Sequence, residues 1–423
     1  MLACWPRPTA ALAAVLVLTG GAPARAAATL VGRAVVPADT FEVGPTSGQF
    51  ITPANGRTPP FARRQPVQGF SAVLRARDGD FYGMPDNGFG AKPNSADFLL
   101  SVYRLSPSFT TASRGTGTVK VELAFHLSDP WHKINFPIVA DRDTYYPTSN
   151  IPVDPSIKRD RLLTGADFDI ESFRQVKDGT FWFGDEFGPF LIHVDRKGRV
   201  LEAPIPLPGV QSPDNPFLGS STPTLRSSKG FEGMALAREG NFLYPLLEGA
   251  LNADPDQRRL IINEFEIRKR SYTGRQWFYR MEDAANSIGD MTAVNDHQFL
   301  VIERDNFQGA EAKFKKIFLI DLKAVDSSGF VSKKEVADLL NIADPGDIGR
   351  SGNGVFTFPF QTIESVLPLD GRTLLVLNDN NYPFSSGRTT GQPDDNEEII
   401  IRLDEWLPLS GSALEECEGH DDD

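Results

Sequence analysis

The sequence predicts an all-β protein, a β-propeller built from four-stranded blades. Three observations lead there. One strand–turn–strand unit recurs five times, at residues 69–88, 169–188, 230–249, 288–306 and 362–381. Four of the five turns carry Asp-Gly or Glu-Gly between two β-type runs, a strong hairpin signal. One or two further strand-like runs follow each hairpin, which makes the four strands of a blade. Five hairpins predict five blades. The long interval between the first and second copies leaves room for a sixth, so six blades is the alternative. Strands alone do not specify topology, so a pair of β-sandwiches is the competing architecture.

Taken in chain order, residues 1–26 read as a secretory signal peptide. Arg7 supplies the positive start, Ala10 to Leu18 the short apolar run, and Ala24-Arg25-Ala26 the small-x-small cleavage pattern. This predicts a secreted or periplasmic protein. Cleavage would leave Cys417 as the single cysteine. A strand around Thr29–Pro37 is placed to complete the last blade and close the ring, hiding edge strands that an open sheet exposes. The outer strands are expected at 98–105, 118–127, 189–205, 259–267, 275–281, 315–322 and 397–406. KKEVADLLNI (333–342) reads as a short helix. The propeller is expected to fill residues 27–408 as a single domain, and the acidic tail 409–423 to be disordered.

Composition narrows the function. The chain has 423 residues and a formal net charge of −13, which argues against a nucleic-acid binder and against adhesion to anionic membranes. No stretch after residue 26 is long and apolar enough to span a bilayer. Two cysteines exclude a disulfide scaffold, and the five histidines show no ligand spacing for zinc. No G-x-S-x-G, G-x-G-x-x-G or P-loop occurs. A monomer acting on a small molecule is the expected form.

What the repeats present is acid. Aligning the copies puts Ser71, Glu171, Glu232, Asp290 and Glu364 in one column near the start of each first strand. Asp86-Asn87, Asp185-Glu186, Glu248, Glu303 and Asp379-Asn380 form a second column at the end of each returning strand. Antiparallel neighbours bring both columns to one mouth of the propeller channel. Carboxylates within about 5 Å of one another cannot all stay ionised without a counter-charge. A bound calcium ion, which takes oxygen ligands in irregular geometry, is the simplest one. Asp86, Asn87, Asp185, Glu248, Asp290, Glu303, Glu364, Asp379 and Asn380 are the candidate ligands. Glu171, Glu186 and Glu232 are the candidate bases, and Arg304 the candidate stabiliser of developing negative charge.

Other features are weaker. Asn252-x-Asp254-x-Asp256 opens like a calcium loop but lacks the closing Glu, so it reads as a turn. Lys229, Lys92, Lys313 and Arg388 lie beside or after hairpins, where contacts to a substrate anion or surface ion pairs are the two readings. His193 reads as a buried structural residue.

DIESF (169–173), GDEFGP (184–189), GFEGMAL (230–236) and NDNNYPF (378–384) resemble a phytase-like family described by an "esterase-like activity of phytase". The resemblance runs from about Pro66 to Trp406, and the family is distantly similar to calcium-dependent propeller phytases. It implies an exported propeller with ester or phosphoester hydrolase activity, and its motif residues fall on Glu171, Asp185, Glu186, Glu232 and Asp379. The chain shows no row of Lys and Arg suited to a multiply phosphorylated inositol. Two functions therefore stand as expectations. One is a calcium-dependent ester or phosphoester hydrolase, with a calcium-dependent lactonase as its nearest variant. The other is a non-catalytic binding module in which the cation only holds the blades together.

Overall fold

The computed structural model describes residues 27–411. The expected leader at 1–26 and most of the tail, with Cys417, lie outside them. The described chain is all-β, in four-stranded antiparallel sheets that follow one another along the sequence.

Each predicted hairpin is formed, and each opens a sheet. The first is Ala72–Arg75 with Phe81–Met84, followed by Ser101–Ser108 and Thr118–His126. The second is Ile170–Gln175 with Phe181–Asp185, then Phe190–Val194 and Ile205–Pro206. The third is Phe231–Ala237 with Phe242–Leu247, then Arg259–Glu266 and Ser271–Arg280. The fourth is Ser287–Ala293 with Gln298–Arg304, then Lys315–Val325 and Val331–Asp338. The last is Thr362–Pro368 with Thr373–Asp379 and Asn396–Leu403. Its fourth strand is Ala28–Val36, from the other end of the chain, in register from Ala28↔Leu403 to Val36↔Asn396. A single bridge, Val35↔Thr118, joins this sheet to the first.

The first strand of each sheet touches the first strand of the next. The contacts run around a closed cycle, from Ala72–Arg75 through the other four and back. A sandwich has no such cycle, so the strands are arranged as a propeller. Apolar side chains between neighbouring sheets form the core, for example Phe173, Phe181, Phe183 and Ile192 against Val102 and Phe125.

Two expectations change. The segment expected as a helix at 333–342 is the outermost strand Val331–Asp338 instead. Pairing with Lys315–Val325 overrides its helical propensity, and its lysines suit an exposed sheet edge. The long interval between the first two hairpins forms no further sheet. It folds around the helix Pro155–Asp160, capped by the Asp154 carboxylate on the Ser156 N–H, and buries Ile138, Val139, Tyr145 and Ile157.

One buried acid stands apart from the channel. Glu398 is fully buried in the third strand of the closing sheet, and neither carboxylate oxygen has a partner. Burial alone pushes its carboxyl up to about 8. The native state then binds more protons than the unfolded chain between the ordinary value and about 8, so stability falls as pH rises through that window. Glu398→Met is expected to stabilise the protein by ~1–3 kcal/mol, with a larger gain at pH 8 than at pH 5. Urea titrations at the two pH values check this, and an equal gain at both would remove the charge from the explanation.

Candidate metal centre

The strand register shows which residues face the channel mouth. A β-bulge interrupts the first hairpin pair in four sheets, between Ile170 and Ser172, Phe231 and Gly233, Ile288 and Asp290, and Ile363 and Ser365. The extra residues are Glu171, Glu232, Gly289 and Glu364. In the first sheet Ser71 takes the corresponding place before Ala72, its N–H bonding the Met84 carbonyl. On the returning strands the residue one step past the bulge partner is Glu186, Glu248, Arg304 and Asp379, with Asp86 the counterpart in the first sheet.

This register corrects the aligned columns by one residue in the fourth sheet. A one-residue slip turns a side chain to the other face. Gly289, not Asp290, is the counterpart of Glu171, and Arg304, not Glu303, the counterpart of Glu186. Asp290 lies between sheets, accepting from the Val366 N–H at 3.0 Å with Arg174 Nη2 at 3.4 Å. Burial outweighs that arginine and pushes its carboxyl up to about 6. Glu303 is fully buried among Tyr279 Oη at 2.7 Å, the Glu282 N–H at 2.7 Å and Lys333 Nζ at 2.5 Å. Neither belongs to the acid cluster.

Gly289 is small for a packing reason. A Cβ there would sit 2.0 Å from the Ile363 carbonyl oxygen of the next sheet. Gly289→Ala is expected to cost about 1–3 kcal/mol by forcing the two sheets apart. Urea unfolding checks it, and a cost near zero would mean that the interface yields freely.

Three more of the predicted ligands hold backbone. Asp185 accepts from the N–H groups of Asp169 at 2.9 Å and Gly188 at 2.7 Å, and burial pushes its carboxyl up to about 7. Asn380 joins the last sheet to the first, accepting from the Gly69 N–H at 2.9 Å and donating to the Asp394 carbonyl at 2.9 Å. Asn87 accepts from the Gly90 N–H at 2.9 Å, and its side chain also bonds Asp169.

The remaining acids converge. Asp86, Asp169 and Glu171 place carboxylate oxygens within 4.8 Å of one another, and so do Glu171, Glu186 and Glu232. All five are buried, from 2% to 8% exposed. Burial first, and repulsion by neighbouring acids next, drive the carboxyls of Asp169, Glu171, Glu186 and Glu232 well above the ordinary range. Asp379 lies beside this group and is raised in the same way, by burial and then by Asp86 and Glu364. Two cations answer the cluster, the half-buried Lys229 and the buried Arg304. Lys229 Nζ bonds the Glu248 carboxylate. Arg304 Nη2 donates to Glu364 Oε1 at 2.8 Å, and the other Glu364 oxygen accepts from Ser71 Oγ at 3.3 Å. Burial holds Glu364 at about 7 despite the arginine.

Asp169 is the member that the aligned columns missed. It directly precedes the first strand of its sheet, two residues before Glu171, and the acid at both positions of DIE was the available signal. Three carboxylate oxygens in the cluster, Asp169 Oδ1, Glu186 Oε1 and Glu232 Oε1, are buried without a partner. A buried carboxylate oxygen without a donor is costly, so these oxygens are suited to a cation. The convergent ligand atoms are all carboxylate oxygens, which suit a hard cation such as calcium rather than zinc.

The other candidates are engaged elsewhere. Lys92 Nζ donates to the Asp214 carbonyl at 2.9 Å, and Lys313 Nζ to the Ala310 carbonyl at 2.6 Å. Arg388 holds Glu397 through two bonds of 2.7 and 2.8 Å. Asp254 closes a turn with Arg259. His193 stacks on Trp182 at 4.3 Å between centroids and bonds Glu202 and Thr180. A cavity of about 540 Å³ beside Arg238, Tyr244, Glu264 and Trp277 sits at the opposite ends of the hairpins, away from the acids.

An uncharacterized secreted protein of Arthroderma benhamiae is 34% identical over 104 residues, 20% of this chain. The match spans only 20% of that relative's length. Among solved structures, a luciferin-regenerating enzyme aligns over 82% of this chain and 96% of its own, at 11% identity and a TM-score of 0.37. A calcium-binding protein, regucalcin from Agrobacterium tumefaciens, aligns over 90% and 97%, at 12% identity and a TM-score of 0.35. Likenesses this low leave the fold argument with the strand pairing above. The family profile described as "Phytase-like: Esterase-like activity of phytase" matches residues 65–382, well over half of the sequence, and the chain belongs to that family.

Proposed function

We propose that this protein is an exported, five-bladed propeller hydrolase that cleaves an ester or phosphoester with the help of calcium. The observation that carries the reading is the trio of unpartnered buried oxygens on Asp169, Glu186 and Glu232, in a cluster where acids far outnumber cations. The five convergent carboxylates, Asp86, Asp169, Glu171, Glu186 and Glu232, would hold the calcium. When bound, it would supply Lewis-acid polarisation of the scissile carbonyl or phosphoryl group.

The chain's own groups supply the rest. The sequence offered Glu171, Glu186 and Glu232 as bases, but their convergence suits them to holding the cation. Glu364 suits proton transfer better. It lies outside both convergent triads, and its carboxyl near 7 matches a base working at neutral pH. Arg304, hydrogen-bonded to Glu364, is placed to steady negative charge that develops beside it. Lys229 neutralises Glu248 and limits the repulsion among the neighbouring acids.

The half-buried Lys229 and the buried Arg304 of the mouth are each tied to a carboxylate. A polyanion such as phytate would meet repulsion there, which favours a neutral or singly charged ester. The test is a hydrolase screen with and without calcium, across p-nitrophenyl esters, lactones, phosphomonoesters, phosphodiesters and phytate. Calcium-dependent turnover of an ester or phosphoester is the expected result. The burial of all five carboxylates favours a second reading, a binding module whose cation only holds sheets together. Calcium binding without turnover of any of these substrates would select it.

A further inference from the structure

We infer that the mouth holds two cations, bridged by Glu171, rather than one. This rests on the reading that the acid cluster is a cation site, and adds to it the number of ions and the sharing of their ligands.

The five carboxylates do not form one group. They form two triads, Asp86–Asp169–Glu171 and Glu171–Glu186–Glu232, whose members each lie within 4.8 Å of one another and which share Glu171 alone. A single ion at the centre of one triad would leave the other without a counter-charge. Each triad also has its own unsatisfied acceptor. Asp169 Oδ1 is orphaned in the first, and Glu186 Oε1 and Glu232 Oε1 in the second. These residues are only 2%, 3% and 4% exposed, so water cannot freely serve those oxygens. Two separate sets of unpaired acceptors call for two separate partners.

Charge gives the same answer. The triads together contain five carboxylates. Arg304 answers Glu364 and Lys229 answers Glu248, so neither cation bonds a triad member. One divalent ion would leave most of the triad charge in place, at a buried site where uncompensated charge is costly. Two divalent ions nearly cancel it. Glu171 is suited to the shared position because a carboxylate has two oxygens with about four lone-pair sites. Its place at a β-bulge projects it between the Asp86–Asp169 pair and the Glu186–Glu232 pair. The remaining coordination positions of each ion belong to water or to a substrate oxygen.

The experiment is calcium titration of the full-length protein after chelator treatment, read by calorimetry and by equilibrium dialysis. The wild type is expected to bind two calcium ions per chain. Asp169→Asn is expected to bind one, Glu232→Gln to bind one, and the double variant to bind none or to lose at least tenfold in affinity at both sites. Glu171→Gln is expected to weaken both sites together. These substitutions preserve side-chain shape, and circular dichroism and melting confirm that each variant is folded before it is titrated. One ion in the wild type, or a double variant that still binds as tightly as either single variant, overturns the two-ion inference while leaving a cation site intact. No calcium bound to the folded wild type overturns both the inference and the proposed calcium dependence.

Discussion

Calcium is expected to raise the melting temperature of the chelator-treated protein by several degrees. The folded state gathers acids from three successive sheets into two triads that share Glu171, each with carboxylate oxygens within 4.8 Å of one another: Asp86 comes from the first sheet, Asp169, Glu171 and Glu186 from the second, and Glu232 from the third. The unfolded chain disperses them, so it has little affinity for the ion. An ion binding only the folded state at a thousandfold excess over its dissociation constant contributes about 4 kcal/mol. In a chain of this length each kcal/mol moves the melting point by about 1 °C. The effect has a pH signature. Without the ion, Asp169, Glu171, Glu186 and Glu232 hold protons in the folded state above the pH at which they release them when unfolded. Stability without calcium therefore falls as pH rises above the ordinary carboxylate range. The gain on adding calcium should be greater at pH 8 than at pH 5. Scanning calorimetry in EDTA and in millimolar calcium measures both quantities. Identical melting in the two buffers would mean that the acids manage their repulsion by protonation alone.

The order of the strands was legible in the sequence because turn chemistry is local. Asp-Gly at 178–179 and 370–371 and Glu-Gly at 239–240 fix hairpins whatever the rest of the chain does. The edge strand at Val331–Asp338 was not legible, because its Lys, Glu and Ala content and the two leucines that follow it suit a helix, and only the pairing with Lys315–Val325 holds it extended. The acid cluster was half legible. Glu171, Glu186, Glu232 and Asp86 follow from alignment to the hairpin turns. A bulge, however, inserts one residue without any mark in composition, so Asp290 was placed where Gly289 stands. The same slip hid the register of Arg304, already a candidate stabiliser of negative charge, which occupies the position that carries an acid in the other four sheets. Asp169 escaped because it precedes the strand, and only three-dimensional convergence shows that it meets Asp86 from the neighbouring sheet.

Glu364→Gln is expected to lower kcat on the preferred ester by on the order of 10²–10⁴ while leaving calcium stoichiometry unchanged. The amide keeps the shape of the side chain, and its oxygen still accepts from Arg304 Nη2, which now lies 2.8 Å from Glu364 Oε1. What it removes is the capacity to take a proton. Glu364 is the acid of the mouth best poised for this, because burial and Arg304 oppose each other and hold it near neutrality. The neighbouring acids Glu171, Glu186 and Glu232 are raised further and sit where a cation would claim their oxygens. Reading kcat and KM separately distinguishes the role. Loss of kcat with KM little changed marks a group that acts in the transition state. A rise in KM alone would mean that Glu364 only shapes the pocket. Loss of bound calcium in the variant would make Glu364 a ligand and move the base elsewhere in the cluster. Full activity with full calcium would remove it from the mechanism. Because the amide leaves buried Arg304 without an ionised partner, the variant is expected to melt lower than the wild type, and turnover is read at a temperature where circular dichroism shows it folded.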